Sequence, residues 1–341
     1  MKRKIKWGVI GASGIAKRRT IPEGIIPASN AELTAVYCRN SAENDAVAKQ
    51  FNARAAKSVE DLLQGIDAVY IATPPHVHLE QTRQAAAAGV HVFCEKPLAL
   101  NPADARRMLD ICRKAKINLG TAFMMRYHSQ HQEMLKLVRE GKIGQPVFAR
   151  AQLSFWYPPM PGAWRQQLAE SGGGALMDLA GHCIDLLEMF FGPVKSVSCM
   201  TNHTVQKYET EDSGVVLVRF ENGALATVDT FFCIADCASK NRLEIYGSLG
   251  GILAEETIGQ GDKGKVIGIH YINNERAIVA GGTISAPAVN TYLAEIEDFS
   301  QAILDTRNTN ESAQGGLHSQ IVLAACYESA KTGREITVAV D

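Results

Sequence analysis

The sequence predicts an α/β protein of two domains, first a doubly wound parallel sheet and then an α+β domain with a large, mostly antiparallel sheet. The length of 341 residues suits two domains, since a domain commonly has about 100–200 residues. Strand and helix patterns alternate over residues 1–124, whereas short strands joined by tight turns dominate residues 125–341. We place the domain boundary there and leave open whether the C-terminal helices pack back on the first domain.

The first domain consists of short apolar strands separated by helical patterns. We expect strands at 4–10, 33–38, 68–72, 90–94 and 117–122, with helices starting near residue 15 and at 42–51, 59–63, 80–88 and 102–115. Helical segments of this length between strands indicate parallel βαβ units with helices on both faces of the sheet.

The second domain begins with a helix at 130–140, after which strands predominate. We expect strands at 147–155, 196–203, 214–220, 224–232, 242–246 and 267–272. The dipeptide Asn222-Gly223 is a strong hairpin signal between two of them. A helix at 177–191 interrupts the series, and helices at 291–304 and 318–331 follow it.

Composition excludes several classes of protein. The 35 basic and 36 acidic side chains give a net charge of −1, which offers no electrostatic case for nucleic acid or an anionic membrane. No apolar run approaches the ~18–20 residues of a membrane span. The eight cysteines are scattered without a CxxC pair, which favours reduced thiols in a cytoplasmic protein.

A glycine-rich turn joins the first predicted strand to the first helix. Gly11 suits a tight turn there, and the small side chains of Ala12 and Ser13 let backbone N–H groups approach a pyrophosphate at the helix N-terminus. Gly14 and Ile15 complete the candidate dinucleotide-binding turn, although Ser13 stands where the usual motif has its second glycine. The alternative is a turn with a structural role only.

The residues after the second strand bear on the choice of cofactor. An NAD site normally has an acidic residue about 20 residues beyond the glycines. Here the strand ends in Cys38, followed by Arg39, Asn40 and Ser41, without an acid. A guanidinium beside a hydroxyl suits a ribose 2′-phosphate, so NADP(H) is favoured and NAD(H) stays possible. Alternatively, Arg39 is a surface arginine that stacks on adenine.

Two further features indicate catalytic chemistry. The strand at 90–94 leads directly into Glu95-Lys96-Pro97, at the sheet edge where ligands bind in open α/β folds. Asp178 and His182 lie four residues apart on the predicted helix at 177–191 and therefore share one face. Taken singly, a lysine at a strand end such as Lys96 is usually a solvated charge. The Asp178–His182 pair alone is compatible with a polar helix face or a hydrogen-bonded core histidine.

An aromatic, proline-rich segment at 155–165 is a candidate substrate surface. Tyr157 and Trp164 offer aromatic faces to a sugar, and Arg165 offers a hydrogen-bond donor to hydroxyls or a carboxylate. The alternative is a loop that buries its own aromatic side chains or forms an interface. His76 and His78 lie near a Thr-Pro-Pro turn without convergent carboxylates, so we expect no metal.

The motifs together are similar to those of the glucose-fructose oxidoreductase/inositol dehydrogenase/MocA family. The resemblance extends over nearly the whole chain and rests on segments 7–14, 72–78, 95–97, 172–182 and 244–250. It implies an N-terminal Rossmann domain, a C-terminal α/β sheet domain and a nicotinamide cofactor at their junction. The implied activity is NAD(P)-dependent hydride transfer to or from a secondary alcohol or ketone of a sugar, keto-sugar, polyol or trans-diol.

The resemblance also implies roles for individual residues. It makes Lys96, Asp178 and His182 catalytic and substrate-binding, and it brings Arg126 and Arg165 near cofactor or substrate. Further cofactor contacts are expected at Thr73, Pro74, His78, Glu95 and Lys96, in addition to Gly11, Ala12, Ser13, Gly14, Ile15, Arg39 and Ser41. Pro75 replaces a commoner asparagine in its turn, which makes the cofactor contacts there less certain than the chemistry.

Three functions remain to be distinguished. The first is the sugar oxidoreductase, expected to form a homodimer or homotetramer through an uncovered face of the second domain's sheet. The second is a glycosidase that uses tightly held NAD for transient oxidation. The third is a regulator that senses the dinucleotide without catalysis, against which the presence of Lys96, Asp178 and His182 argues, because a sensor needs none of them.

Overall fold

The computed structural model describes residues 3–261, 263–272 and 275–339. Its strands, numbered β1 to β15 along the chain, are Ile5–Ile10, Ala31–Tyr37, Arg54–Ala55, Ala68–Ile71, His91–Glu95, Leu119–Ala122, Pro146–Ser154, Val194–Asn202, Ser213–Phe220, Leu225–Phe231, Arg242–Gly247, Gly250–Glu255, Lys265–Ile272, Glu275–Ile284 and Ile336–Thr337. They form one six-stranded and one nine-stranded sheet. The sequence patterns predict two sheets, one in each domain.

The α-helices, numbered α1 to α9, are Ser41–Phe51, Val59–Leu62, His78–Ala87, Pro102–Ala115, Ser129–Arg139, Leu168–Ser171, Gly181–Phe191, Thr291–Leu304 and Asn310–Thr332. Two segments have wider, π-helical turns, Ala16–Ile25 and Leu176–Ala180. Short 3₁₀ turns lie at Pro75–Val77, Met124–Tyr127, Trp164–Gln166 and Asp236–Ala238.

The chain divides into two compact units. Unit 1 consists of Met1–Met124 and Asn290–Gln320, and unit 2 consists of Met125–Val289 and Ile321–Asp341. Helix α8 therefore belongs with the N-terminal sheet, and α9 contributes residues to both units.

Unit 1 contains the parallel sheet, with strand order β3-β2-β1-β4-β5-β6. All five strand pairings are parallel, which confirms the doubly wound class. Its core is an aromatic cluster in which Phe299 of α8 lies 5.7 Å from Trp7 and 4.9 Å from Phe93 between ring centroids. The buried Trp7 indole donates to the Ser300 hydroxyl at 3.0 Å, so α8 is fixed to the sheet by both packing and a hydrogen bond.

The first helical segment of unit 1 is not a regular α-helix. Over Ala16–Ile25 the turns are π-helical, and the Ile26 N–H donates to the Ile21 carbonyl five residues back at 3.0 Å. Pro22 lies inside this segment. Because proline lacks an N–H and its ring clashes with the carbonyl four residues back, a regular α-helix is unfavourable there.

Unit 2 contains a sheet of order β14-β13-β12-β11-β7-β10-β9-β8-β15. Only the β7–β10 pairing is parallel among the described strands of this sheet, which confirms the mostly antiparallel class. Helix α7 and the π-helical turn before it pack on β7, β9 and β10. Strands β12, β14 and β15 were not predicted, and α9 begins eight residues earlier than the predicted helix at 318–331.

Candidate functional site

Four of the predicted cofactor segments lie at one edge of the unit 1 sheet. Strands β2, β1, β4 and β5 are neighbours and run parallel, so their carboxyl ends meet at the same edge. The turns after them contain the segments 39–41, 11–15, 73–74 and 95–96, respectively. This is the edge at which doubly wound sheets bind their ligands.

The glycine-rich turn has the backbone that a bound pyrophosphate needs. Gly11 has φ of +79°, and a Cβ atom there would lie 2.7 Å from the Ala72 carbonyl carbon, so only glycine fits. Gly14 has φ of +49° and faces open space. Within the described residues, the helix N-cap at Ile15 has no side-chain cap and its first turn has no acid. An anion therefore has no competitor at this helix N-terminus.

The end of β2 presents Arg39 and Ser41 to solvent. Between them, the Asn40 side chain accepts a hydrogen bond from the Glu43 N–H at 3.0 Å and caps α1. Glu43 itself lies 4.0 Å from the Lys17 ammonium. The strand end thus offers a guanidinium and a hydroxyl, with no carboxylate in residues 38–41.

The turn after β4 is held by buried hydrogen bonds. The His78 ring is fully buried, with Nε2 2.8 Å from the Thr73 carbonyl oxygen and Nδ1 3.2 Å from that of Leu98. Burial lowers the pKa of His78 to about 4. The Thr73 hydroxyl donates to Gln81 at 2.6 Å, while Pro74 is the N-cap residue of the 3₁₀ turn Pro75–Val77. These contacts give His78 a structural role, and its contact with a cofactor stays a prediction.

Lys96 follows β5 directly and is half-buried. The Glu95 carboxylate accepts the Tyr70 hydroxyl at 2.6 Å through Oε1 and the Lys96 backbone N–H at 3.3 Å through Oε2. Tyr70 is fully buried in β4. Glu95, predicted as a cofactor contact, therefore positions the backbone of Lys96, which the sequence did not reveal.

The candidate residues of unit 2 begin with an ion pair. Asp178 lies in the π-helical turn before α7 and is 8% exposed. The Arg165 Nε–H donates to its Oδ2 at 3.0 Å, and the same guanidinium lies 4.3 Å from the Trp164 ring centroid. Tyr157 packs with its ring centroid 5.0 Å from that of Phe232. Asp178, Trp164 and Arg165 are thus brought together, and their role as a substrate surface stays a prediction.

His182 lies one turn further along this helix and is 7% exposed. Three residues later, the buried Asp185 accepts two hydrogen bonds from the Arg126 Nε–H, at 2.9 and 2.8 Å. Burial raises the pKa of Asp185 to about 6, although the Arg126 charge opposes the shift. Along the helix, His182 therefore stands between Asp178 and Asp185, two carboxylates that each bind an arginine. Arg126, predicted as a cofactor contact, is already paired with Asp185.

The start of this helix depends on a residue that the sequence did not suggest. Glu211 is buried, and its Oε1 accepts the N–H groups of Gly174 and Leu176 at 2.8 and 3.0 Å and the Tyr327 hydroxyl at 2.9 Å. A Cβ atom on Gly174 would overlap the Glu211 carbonyl oxygen. The glycine run therefore lets the helix approach the Glu211 backbone closely. No local spacing predicts this contact, because 37 residues separate Glu211 from Gly174.

The described residues contain neither a metal-binding cluster nor a helix that could span a membrane. In residues 3–261, 263–272 and 275–339, no three His, Cys, Asp or Glu side chains are grouped so that they could hold a metal ion. Among the helices described, none combines the length and the apolar character needed to cross a membrane.

Comparison with known proteins places the chain in a family. Residues 5–123 match the model of an oxidoreductase family with an NAD-binding Rossmann fold. Residues 131–253 match the GFO/IDH/MocA C-terminal domain. The chain belongs to the GFO/IDH/MocA oxidoreductases, and the resemblance inferred from its motifs is confirmed.

Individual relatives cover nearly the whole chain. It is 30% identical to 1,5-anhydro-D-fructose reductase of Ensifer adhaerens, over 96% of this chain and 97% of that protein. It is 28% identical to D-xylose 1-dehydrogenase (NADP(+)) 2 of Haloferax volcanii, over 97% of this chain and 98% of that one. Levoglucosan dehydrogenase in complex with NADH has the same fold, with a TM-score of 0.87 at 23% identity over 99% of this chain and all of that one.

Proposed function

We propose that the chain transfers a hydride between a nicotinamide cofactor and a secondary alcohol or ketone of a sugar, keto-sugar, polyol or trans-diol. One observation supports this most strongly: Glu95 fixes Lys96 at the carboxyl edge of the dinucleotide-type sheet. The names of the relatives agree, since they denote a sugar-derivative reductase and a pentose dehydrogenase.

The chain's residues fit a nicotinamide dinucleotide. The Gly11–Gly14 turn and the uncapped helix start would hold the pyrophosphate. Arg39 and Ser41 would hold a 2′-phosphate, which makes NADP(H) the favoured cofactor. The relatives include an enzyme named for NADP(+) and one solved with NADH, so both cofactors occur among similar proteins.

Proton transfer is assigned to His182. When bound, the nicotinamide supplies the hydride donor or acceptor. An imidazole can take or give the hydroxyl proton near neutral pH. Lys96 is assigned as hydrogen-bond donor to the substrate oxygen, where its charge would stabilise a developing alkoxide. Asp178, held by Arg165, either orients His182 or accepts a substrate hydroxyl.

The substrate surface is assigned to the segment before the helix. The Trp164 ring and the Arg165 guanidinium are stacked, and Tyr157 is half-buried nearby in sequence. Aromatic faces pack on the C–H face of a sugar ring, while guanidinium N–H groups bind hydroxyls. A polyhydroxylated ring therefore suits these residues better than an apolar substrate does.

The uncovered face of the unit 2 sheet is proposed as the contact between copies of this chain. On it, Leu217 of β9 is 57% exposed and Met200 of β8 is 81% exposed. Val215, Leu225 and Ile269 are exposed there too, and cross-strand register places them on the same side. An apolar patch of this kind on a folded protein commonly marks an interface.

The testing experiment follows absorbance at the reduced-nicotinamide band, with NAD and NADP separately, across sugars, inositols and keto-sugars. We expect reduction or oxidation of added cofactor with a carbohydrate. Lys96→Ala and His182→Ala should each abolish turnover while dinucleotide affinity changes only a few-fold. Hydrolysis of glycosides by a protein that retains its cofactor would indicate the glycosidase instead. Dinucleotide binding without any turnover would indicate the regulator.

A further inference from the structure

A buried acid lies in unit 1 without an evident structural purpose. Glu295 of α8 is 0% exposed, and within the described residues neither of its carboxyl oxygens has a hydrogen-bond partner. Burying a polar group without a hydrogen bond costs free energy, whereas an apolar side chain of similar length would bury favourably here. A residue that weakens the fold in this way indicates a functional role that is separate from stability.

The surroundings of Glu295 connect it to the turn that contains Lys96. Burial and the neighbouring Glu95 carboxylate both raise the pKa of Glu295 well above its ordinary value. Tyr70, which donates to Glu95 at 2.6 Å, has its own pKa raised by burial, by Glu95 and by Glu295. The three groups therefore form one cluster of α8, β4 and the end of β5, in which Tyr70 and Glu295 are fully buried and Glu95 is half-buried.

Further charged and titratable groups around this cluster lie on β5, where burial and Glu95 raise the pKa of Cys94, and on α8 and the π-helical segment Ala16–Ile25. Tyr292 of α8 is 2% exposed, and burial together with Glu95 and Glu295 raises its pKa. The Arg19 guanidinium lies 5.2 Å from the Tyr292 ring centroid and is paired with Glu23 at 3.2 Å. The only cation that faces Tyr292 among these described groups thus already has an acidic partner.

A fully buried carboxyl group beside a second carboxylate resists ionisation at neutral pH. Glu95 has the better claim to the negative charge, because it accepts the Tyr70 hydroxyl and the Lys96 N–H. Glu295 has no such donors in the described structure and therefore keeps its proton. Of these two carboxyl groups, only Glu95, which accepts the Lys96 N–H, is then an anion.

We propose that Glu295 is a positioning residue for Lys96. The uncharged form of Glu295 lets Glu95 hold the Lys96 backbone. Ionisation of Glu295 at alkaline pH repels Glu95 and so releases the Lys96 backbone. On ionisation, the Glu295 proton passes to solvent and a second anion appears beside Glu95. The inference rests on the proposed hydride transfer, in which Lys96 must contact the substrate oxygen. It predicts a fall in kcat on the alkaline side that Glu295 causes.

The kinetic test compares the pH dependence of kcat in the wild type, Glu295→Gln and Glu297→Gln. Glu297 is the matched control, since it lies two residues further along α8 and accepts from Ser29. Glu295→Gln should keep kcat at pH 7 within about threefold and move the alkaline fall upward by about one pH unit or more, since a glutamine cannot ionise. Glu297→Gln should leave the profile unchanged.

A second readout needs no turnover. Infrared spectra at pH 7 should show the carbonyl stretch of a protonated carboxylic acid that disappears in Glu295→Gln and remains in Glu297→Gln. If that band is absent from the wild type, or if Glu295→Gln changes only the melting temperature and leaves the alkaline fall in place, the proposal is wrong. Lack of turnover with every substrate, with the band present, would instead count against hydride transfer itself.

Discussion

Replacing Arg39 by alanine tests how the chain selects its cofactor. Arg39 is exposed at the end of β2, and residues 38–41 contain no carboxylate. A charge-assisted hydrogen bond is worth about 1.5–3 kcal/mol when well made. Solvent screening at this exposed position reduces the value to about 1–2 kcal/mol. Arg39→Ala should therefore raise KM for NADP(H) by about 5–30-fold, at 1.4 kcal/mol for each factor of ten.

The assay is steady-state kinetics with NADP and NAD at a fixed concentration of the best carbohydrate substrate. NAD lacks the 2′-phosphate, so its KM should change by less than about twofold in Arg39→Ala. Lys49→Ala is the matched control, because it removes one positive charge from the exposed end of the following helix α1. It should leave both KM values unchanged.

Two results would refute this reasoning about Arg39. One is a wild-type preference for NAD of more than about tenfold, equivalent to about 1.4 kcal/mol in the wrong direction. The other is an equal rise in KM for both cofactors in Arg39→Ala, which would mean that Arg39 stacks on adenine and does not recognise a phosphate.

Three further predictions concern stability and assembly. Gly174→Ala should lower the free energy of unfolding by about 1–3 kcal/mol in urea, because its Cβ overlaps Glu211. Gly282→Ala should not lower the free energy of unfolding, because a Cβ there meets nothing within 4 Å. Equal losses of stability in the two variants would contradict the close approach of Gly174 to Glu211. Leu217→Lys should reduce the mass measured by light scattering to that of a monomer. The control Ile26→Lys, at a 49% exposed site of unit 1, should leave the mass unchanged. An unchanged mass in Leu217→Lys would argue against the unit 2 sheet face as the contact between copies. The folded-state pKa of His78 is about 4, below the unfolded value of about 6.5. The stability from its neutral form is complete above pH 6.5 and is lost as pH falls, by up to about 1.4 kcal/mol per pH unit. His78→Gln should therefore flatten the loss between pH 6.5 and 4, and an unchanged slope would show that His78 does not cause it.

The sequence predicts regular elements best where local signals agree. Helix α4 begins and ends at the predicted residues, Pro102–Ala115, because Asn101 caps it and proline suits its first position. Strands β12 and β14 were missed because each contains a glycine pair, Gly250-Gly251 and Gly281-Gly282, which weakens a strand pattern.

Helix α9 shows how tertiary contact overrides a local signal. Gly315-Gly316 suggests that no helix begins before residue 318, yet α9 continues through both glycines. A Cβ atom on Gly316 would collide with the Thr121 side chain. The glycine is therefore needed for close packing on β6, a reason that no property of residues 310–317 reveals.

Motifs indicated the candidate reacting groups, whereas their supports became visible only in the folded chain. Lys96 and His182 stand in recognisable patterns. The Tyr70–Glu95 bond joins residues 25 apart, and the Arg126–Asp185 pair joins residues 59 apart. Such pairs have no sequence spacing that identifies them. Glu295 is the extreme case, since an acid on a helix that also has Glu297 and Asp298 suggests only a solvated face.

Label transfer tests hydride transfer itself. A carbohydrate that supports turnover is prepared with deuterium on the carbon that bears the reacting hydroxyl, and the reduced cofactor is isolated after reaction with the oxidised one. We predict deuterium at C4 of the nicotinamide ring, and neither deuterium nor reduced cofactor with Lys96→Ala or His182→Ala. Reduced cofactor without deuterium, or product formed with no net reduction of added cofactor, would contradict it.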